Sequence, residues 1–259
     1  MIADLHLGFE YELSKMGISI PYQTGRLMDE LRSIIRAYSP RRLVVLGDLK
    51  HGVPITSFQE RREVPEFFIS LSKEVEHMVV IRGNHDGGLQ DIVPQGVDMV
   101  SSKGLVLGNE FKVGAFHGHA WPGTKLLGCD LMIMAHSHPT VLLHTPLGIR
   151  LTRRVWARGV CRRERLAAAY LERDGIQFEG DPTQKFEETY RSPVLDSQII
   201  LMPAFNDLVG GLPVNSETPR TLLGPLLRTK AIDTTDFEIY LLDGTYLGHV
   251  GFLRTLSQG

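Results

Sequence analysis

Short apolar runs alternate with helical repeats along the first half of the chain. The runs Leu43–Leu46, Met78–Ile81 and Leu131–Met134 each contain four consecutive apolar residues, which is typical of strands that are covered on both faces. Between them, apolar side chains recur at helical spacing from Leu27 to Tyr38 and from Val64 to Leu71. Strands that alternate with helices indicate an α/β fold.

The ends of these helices and the second half of the chain carry further signals. Thr24 is predicted to cap the first helix, and Pro65 is predicted to lie in the first turn of the second. The later part is richer in strand patterns. Asp243-Gly244 predicts a tight turn between two of them, and the stretch from residue 181 to 197 is interpreted as a linker. The predicted strands are Gln198–Met202, Phe237–Leu242 and Tyr246–Val250.

Composition and charge place the chain of 259 residues among ordinary globular proteins, with 42% hydrophobic and 22% charged residues. A formal net charge of −2 gives no overall attraction to nucleic acid or to an anionic membrane, so such a contact would have to be local. Two cysteines, Cys129 and Cys161, are too few for a disulfide framework, and Cys129 is interpreted as an inert, small apolar residue. No stretch suggests a signal peptide or a membrane span, which indicates a soluble cytoplasmic protein.

Five polar clusters follow the apolar runs, where the carboxyl ends of strands form the binding sites of open α/β sheets. Residues at i and i+2 of an extended segment point to the same side and can share a ligand. Carboxylate, imidazole and amide groups together suit manganese, iron or zinc, whereas magnesium prefers fewer nitrogen ligands. The supply exceeds what one ion needs and suits two ions about 3.5–4 Å apart. The clusters are Asp4-Leu5-His6, Gly47-Asp48, Gly83-Asn84-His85-Asp86, His117-Gly118-His119 and His136-Ser137-His138.

The ordered set of clusters resembles the signature of calcineurin-like metallophosphoesterases over residues 1 to about 140. Three further segments are similar to an SbcD-related, mostly archaeal branch and to bacterial ligase-associated phosphoesterases: Gly17–Pro21, Gly47–His51 and Met202–Asn206. The resemblance implies a four-layer α/β/β/α sandwich, in which two mixed β-sheets pack face to face with helices on the outer faces. We expect one domain over residues 1–259, with a metal-site half (1–140) and a β-rich C-terminal half (141–259).

The resemblance also implies a role for each matching residue. A hydroxide held between two divalent ions, expected to be Mn²⁺ with Fe or Zn as alternatives, would hydrolyse a phosphate ester. His85 would be the catalytic residue and would protonate the leaving group. The implied ligands are Asp4, His6 and His138 for one ion, Asn84, His117 and His136 for the other, and Asp48 as the bridge.

The chain departs from the family pattern at three places. Only Met1–Ala3 precede Asp4, from which we expect the true start to lie upstream. Ala135 stands where the late motif usually has glycine. His51 stands where many relatives carry an aspartate that supports the catalytic histidine, so no carboxylate from that position is expected to support His85.

Several interpretations remain open at this point. His51, Lys50, His119 and Arg82 are candidates for contacts to substrate or for support of the ligands. Seven arginines between residues 150 and 165 either contact a nucleic-acid backbone or form a solvated face.

The leading hypothesis is a phosphodiesterase or nuclease, and a phosphomonoesterase or nucleotide pyrophosphatase is the enzymatic alternative. The non-enzymatic alternative is a metal-binding scaffold. The expected partners are a phosphate-ester substrate and, through the arginines, nucleic acid; no membrane partner is expected, and the oligomeric state is left open.

Overall fold

The computed structural model describes residues 1–144, 149–216, 224–229 and 231–257. The chain divides into two compact units: unit 1 contains Met1–Ser102 and Ala204–Val209, and unit 2 contains Lys103–Pro203 and Gly210–Gly259. Each unit contains a β-sheet and helices, which confirms the α/β class. The interpretation as a single domain stays a prediction. Within the described ranges, no helix is long and apolar enough to cross a membrane.

Unit 1 is built on a parallel sheet of three strands in the order β1-β2-β3. The chain begins beside this sheet, because Ile2 forms a parallel bridge with Val45. In β1 and in β2, all four residues of the apolar run are buried, so both faces of each strand are covered, as the runs predict. The strands are β1 (Arg42–Leu46), β2 (His77–Ile81) and β3 (Val97–Val100), and the helices are α1 (Phe9–Lys15), α2 (Thr24–Tyr38) and α3 (Phe58–Leu71).

The predicted cap of α2 and the predicted start of α3 were wrong. Thr24 is the first residue of α2 rather than its cap, because its hydroxyl donates to Glu63 of α3 at 2.5 Å. Helix α3 begins at Phe58, so Pro65 lies inside the helix and not in its first turn. Ser57 and Glu60 form a capping box that starts α3 early. The apolar sides of α2 and α3 pack into the core of unit 1.

Unit 2 contains a mixed sheet, for which the described residues supply nine strands. Its order is β10-β7-β8-β9-β6-β5-β4, and β11 pairs with both β8 and β12. The strand predictions after residue 130 are confirmed to within one residue at each end. The strands are β4 (Leu105–Leu107), β5 (Val113–Phe116), β6 (Leu131–Met134), β7 (Pro139–His144), β8 (Arg150–Cys161), β9 (Ser197–Leu201), β10 (Leu212–Pro213), β11 (Glu238–Leu241) and β12 (Tyr246–His249).

The core of unit 2 lies on the face of this sheet that is covered by helices. Val155, Ala157 and Ile239 are fully buried on that face, and they belong to the same apolar cluster as Tyr170 and Phe186 of the helices. The predicted linker was wrong, because residues 182–190 form a helix that is capped by the side chain of the residue before it. The helices of unit 2 are α4 (Arg163–Arg173), α5 (Pro182–Tyr190), α6 (Pro225–Arg228) and α7 (Val250–Ser257).

Candidate active site

The first two predicted ligands lie in a segment that runs beside β1. The amide of Asp4 donates to the carbonyl of Gly47 at 3.1 Å, and the amide of His6 donates to the carbonyl of Asp48 at 2.9 Å. These bonds place His6 Nε2 at 3.7 Å from Asp48 Oδ2. Asp4, His6 and Asp48 are all buried. Unit 1 therefore brings two carboxylates and one imidazole into a small buried region after the end of β1.

A single buried carboxylate, that of Asp86, holds the loop that carries Asp48. It accepts the backbone N–H groups of Asp48 at 2.9 Å and of Leu49 at 3.0 Å. It also accepts those of Lys50 at 3.4 Å and Gly83 at 2.8 Å. A loop whose amides converge on one carboxylate has little freedom to turn, so the direction of the Asp48 side chain is fixed.

The loop after β2 contacts Asp48 through His85 and Gly83. The amide of His85 donates to Asp48 Oδ1 at 2.8 Å. A Cβ at Gly83 would lie 2.2 Å from Asp48 Oδ1 and 2.4 Å from Asp48 N, so only glycine allows this approach. Asn84 is exposed in the same loop.

Three imidazoles form a cluster in unit 1. The rings of His51 and His85 stack at 5.1 Å, and His6 meets His85 edge to face at 4.8 Å. Their nearest ring nitrogens lie within 4.8 Å of one another, so the group could itself hold a metal ion. Burial lowers the pKa of His51, and the nearby His85 lowers it further, which favours a neutral ring whose lone pair can accept the hydrogen bond shared with His6 Nδ1 at 3.1 Å.

The hydrogen bond of His85 determines which of its nitrogens carries the proton. Its Nδ1 lies 2.5 Å from the backbone carbonyl oxygen of His51. A carbonyl oxygen can only accept, so Nδ1 must donate. The neutral ring therefore has its lone pair at Nε2, and a protonated ring would donate from Nε2.

The other two candidates in unit 1 differ in their surroundings. Lys50 is fully buried, and its ammonium group donates to the carbonyl of Gly52, so it braces the loop from within. The side chain of Arg82 is exposed after β2.

Unit 2 supplies the remaining predicted ligands. His117 follows β5 and is fully buried, whereas His136 and His138 follow β6 and are partly exposed. The rings of His117 and His136 lie 5.0 Å apart. His119 is partly exposed, 5.2 Å from His117 and 6.0 Å from His136, so it joins the same histidine cluster.

Left-handed backbone conformation marks the predicted ligands in both units. Among the residues that the structure describes, seven that are not glycine have a positive φ, and five of these are predicted ligands. The other two, Ser39 and Arg191, end helices α2 and α5. Such strained residues collect at functional sites. The five ligands and their φ angles are Asp4 (55°), His6 (47°), Asp48 (50°), His136 (69°) and His138 (40°).

Two residues of the site, Asp86 and Glu60, received no role from the sequence. Asp86 stands inside a quoted motif, and its role depends on four amides that only the folded loop brings together. Glu60 accepts the amides of His51 and Gly52 at 2.9 and 2.5 Å. The Ser-x-x-Glu spacing of Ser57 and Glu60 is a helix-start signal that could have drawn attention to it.

An α/β chain whose strands end in buried carboxylates and imidazoles has the features of a metal-binding hydrolase. This chain belongs to the calcineurin-like phosphoesterase family, whose sequence pattern matches residues 1–134. No curated protein matches the chain at a significant level. The finer resemblance to an SbcD-related branch stays a prediction.

Solved structures that are similar to the chain include the following two. One is the nuclease MPE of Pseudomonas putida, with 18% identity and a TM-score of 0.51 over 95% of this chain and 85% of that one. The other is Yfce, a phosphoesterase from E. coli, with 18% identity and a TM-score of 0.36 over 57% of this chain and 74% of that one. At this identity the first similarity shows the fold alone.

Proposed function

We propose that the chain is a metal-dependent phosphodiesterase that acts on nucleic acid and uses two divalent cations. The observation that carries the proposal is the coincidence of left-handed backbone with five predicted ligands, because nothing in the sequence motif requires this conformation. A protein that had kept these residues only for its fold would gain nothing from the strain. A scaffold without metal therefore fits these residues less well.

The donor set fits divalent transition metals. Carboxylate oxygens and imidazole nitrogens are the ligands that manganese, iron and zinc accept. Asp4, His6 and His138 would hold one ion, Asn84, His117 and His136 the other, and Asp48 both. When bound, such ions supply positive charge that attracts the phosphate, and they lower the pKa of water from 15.7 towards about 7.

His85 is the residue that would move a proton. Because Nδ1–H donates to the carbonyl of His51, a protonated His85 can donate only from Nε2. We assign this proton to the departing alkoxide oxygen of the substrate. General acid catalysis of this kind contributes about 10²–10⁴ to the rate, and it matters most for poor leaving groups such as the sugar hydroxyls of nucleic acid.

A basic and aromatic face of unit 2 supports nucleic acid as the substrate. Arg154, Trp156 and Arg158 alternate along β8 on the face opposite the core. Tyr240 lies beside Trp156 in register, and its ring is 5.2 Å from that of Tyr246, which is 50% exposed. Glu238 lies beside Arg158 on this face, 3.6 Å from its guanidinium group. Arginines neutralise phosphates and aromatic rings stack with bases, so the face still suits a single strand, mainly through its aromatic rings.

The experiment compares substrates in the presence of manganese, iron or zinc. We expect hydrolysis of bis-p-nitrophenyl phosphate and of single-stranded DNA or RNA, and slower hydrolysis of p-nitrophenyl phosphate. His85→Ala should slow cleavage of the polynucleotide about 100-fold or more. A clear preference for the monoester, or a His85→Ala variant that matches the wild type on every substrate, would contradict the proposal.

The basic and aromatic face has its own variant. Tyr246→Ala should raise KM for the single strand about tenfold, since stacking with one base contributes about 1–3 kcal/mol. It should leave the hydrolysis of bis-p-nitrophenyl phosphate unchanged, because that substrate has no bases to stack. An unchanged KM for the polynucleotide would remove this face from the proposal.

A further inference from the structure

The peptide group that joins His51 to Gly52, in unit 1, forms hydrogen bonds with two side chains, one through its carbonyl oxygen and one through its N–H. Its carbonyl oxygen accepts the Nδ1–H of His85 at 2.5 Å. Its N–H, which belongs to Gly52, donates to Glu60 Oε1, also at 2.5 Å. In a trans peptide the N–H and the C=O point in opposite directions. Glu60 and His85 are therefore connected through a single peptide plane.

Glu60 is built into the protein as an acceptor. Its side chain is fully buried, and Oε1 accepts a second amide, that of His51, at 2.9 Å. Oε2 accepts the amide of Ser57 at 2.5 Å, and Ser57 Oγ accepts the amide of Glu60 in return at 3.2 Å. The loop from residue 51 to 57 is thus fastened at both ends to the first turn of α3.

Close packing around Gly52 and His51 restricts the conformation of the peptide between them. A Cβ at Gly52 would lie 2.8 Å from both Glu60 Oε2 and the carbonyl oxygen of Ile55. The ring of His51 is held between Phe9, edge to face at 4.9 Å, and His85, stacked at 5.1 Å. The His51–Gly52 peptide is therefore held in place by the close packing at Gly52 and by the contacts of the His51 ring.

We propose that Glu60 is the positioning residue for His85 and acts through the His51–Gly52 peptide. Its carboxylate orients the peptide so that the carbonyl of His51 faces Nδ1 of His85, which keeps the proton on Nδ1 and turns Nε2 to the substrate. Hydrogen bonds in series polarise one another, so the carboxylate also strengthens the acceptor that His85 meets. The catalytic meaning of this link rests on the proposed function, whereas the link itself does not.

Two substitutions of Glu60 and one matched control test the link. Glu60→Ala removes the acceptor of all three amides, and Glu60→Gln keeps one oxygen and cannot accept them all. Glu63→Ala is the control, because Glu63 lies one turn further along α3, is also buried, and accepts from the side chains of Thr24 and Gln59. The control loses a buried carboxylate of the same helix and keeps the amides of the loop fastened.

The first measurement is the tautomer of His85, read from long-range ¹H–¹⁵N correlation spectra of the metal-free protein. We expect Nδ1–H in the wild type and in Glu63→Ala, a mixture of tautomers in Glu60→Ala, and a smaller change in Glu60→Gln. A wild-type ring protonated at Nε2 alone would overturn the proposal. A Glu60→Ala spectrum equal to that of the wild type would also overturn the proposal. This result needs no hydrolysis, so it stands whether or not the proposed function does.

The second measurement compares a poor with a good leaving group. With a dinucleotide, Glu60→Ala should lower kcat about 10- to 100-fold, which is part of the 10²–10⁴ expected for a general acid. With bis-p-nitrophenyl phosphate, whose leaving group needs no proton, the loss should be small. Combined with His85→Ala, the substitution should cost little more on the dinucleotide, because both changes remove one interaction.

The outcomes of this second measurement are distinct. Equal losses on both substrates, or a loss that multiplies with that of His85→Ala, would show a merely structural role for Glu60 and overturn the proposal. If His85→Ala has no effect on either substrate, the proton-transfer role in the proposed function fails. The tautomer of His85 then still decides whether Glu60 positions it.

Discussion

Asp86→Asn tests how firmly the loop that carries Asp48, the proposed bridging ligand, is held. The carboxylate of Asp86 accepts four backbone amides, two through each oxygen: Leu49 and Lys50 through Oδ1, and Asp48 and Gly83 through Oδ2. An asparagine keeps one oxygen, and its NH₂ group then faces two N–H groups that it cannot accept.

The expected loss can be worked out from these contacts. A buried donor left without an acceptor costs about 1–3 kcal/mol, so two of them cost about 2–6 kcal/mol. Typical domains have only about 5–15 kcal/mol of unfolding free energy. We therefore expect Asp86→Asn to fold with a loosened loop and Asp86→Ala, which leaves four donors without an acceptor, to unfold under mild conditions.

Amide hydrogen exchange is the appropriate assay, because both tryptophans, Trp121 and Trp156, lie in unit 2 and their fluorescence does not report on unit 1. A local loss of about 2.8 kcal/mol should speed exchange in a peptide over residues 48–50 about 100-fold. The control is Asp98→Asn, an exposed aspartate on β3 of the same unit. If both variants exchange alike at residues 48–50, the reasoning about Asp86 is refuted.

Three further predictions concern metal binding and the core. Gly83→Ala should weaken divalent-metal binding in calorimetry, since its Cβ would lie 2.2 Å from Asp48 Oδ1; wild-type affinity would contradict this. Mn²⁺ at 100 times its Kd should stabilise the protein by about 2.7 kcal/mol in chemical denaturation, and a chelator should reverse it; an unchanged midpoint would argue against a resident metal. Cys129 and Cys161 are buried, and burial raises the pKa of both thiols, for Cys161 to about 12; neither should react with Ellman's reagent until the protein is unfolded, and rapid labelling of the native protein would contradict this.

The parts of the fold that the sequence predicted are those whose signal is local. Four consecutive apolar residues were enough to locate β1, β2 and β6. Strand β8 was missed, because Arg153, Arg154 and Arg158 interrupt its apolar pattern. Only three of its residues, Val155, Ala157 and Cys161, are buried. A strand that presents arginines to solvent looks like a charged segment until its neighbours are known.

The site shows the same division between local and tertiary information. The motifs placed the candidate ligands in order, and Asp4, His6 and Asp48 lie close together after β1. The connection from Glu60 to His85 could not be predicted from the sequence. It passes through backbone atoms of His51 and Gly52, which are 8 or more residues away from Glu60 along the chain. The sequence drew attention to the side chain of His51, as a replacement for a supporting aspartate and as a candidate for contacts to substrate or ligands, but not to its backbone carbonyl, which meets His85.

The positive φ angles of the candidate ligands imply that the site lowers the free energy of unfolding of the protein. A non-glycine residue in such a region costs of order 1–3 kcal/mol, whereas glycine adopts it without steric cost. His136→Gly or His138→Gly should therefore inactivate the protein yet leave it as heat-resistant as before, or more so, when metal is absent. Selection for thermal stability alone would therefore tend to remove the candidate ligands. We expect it to yield inactive variants that melt at a higher temperature than the parent protein.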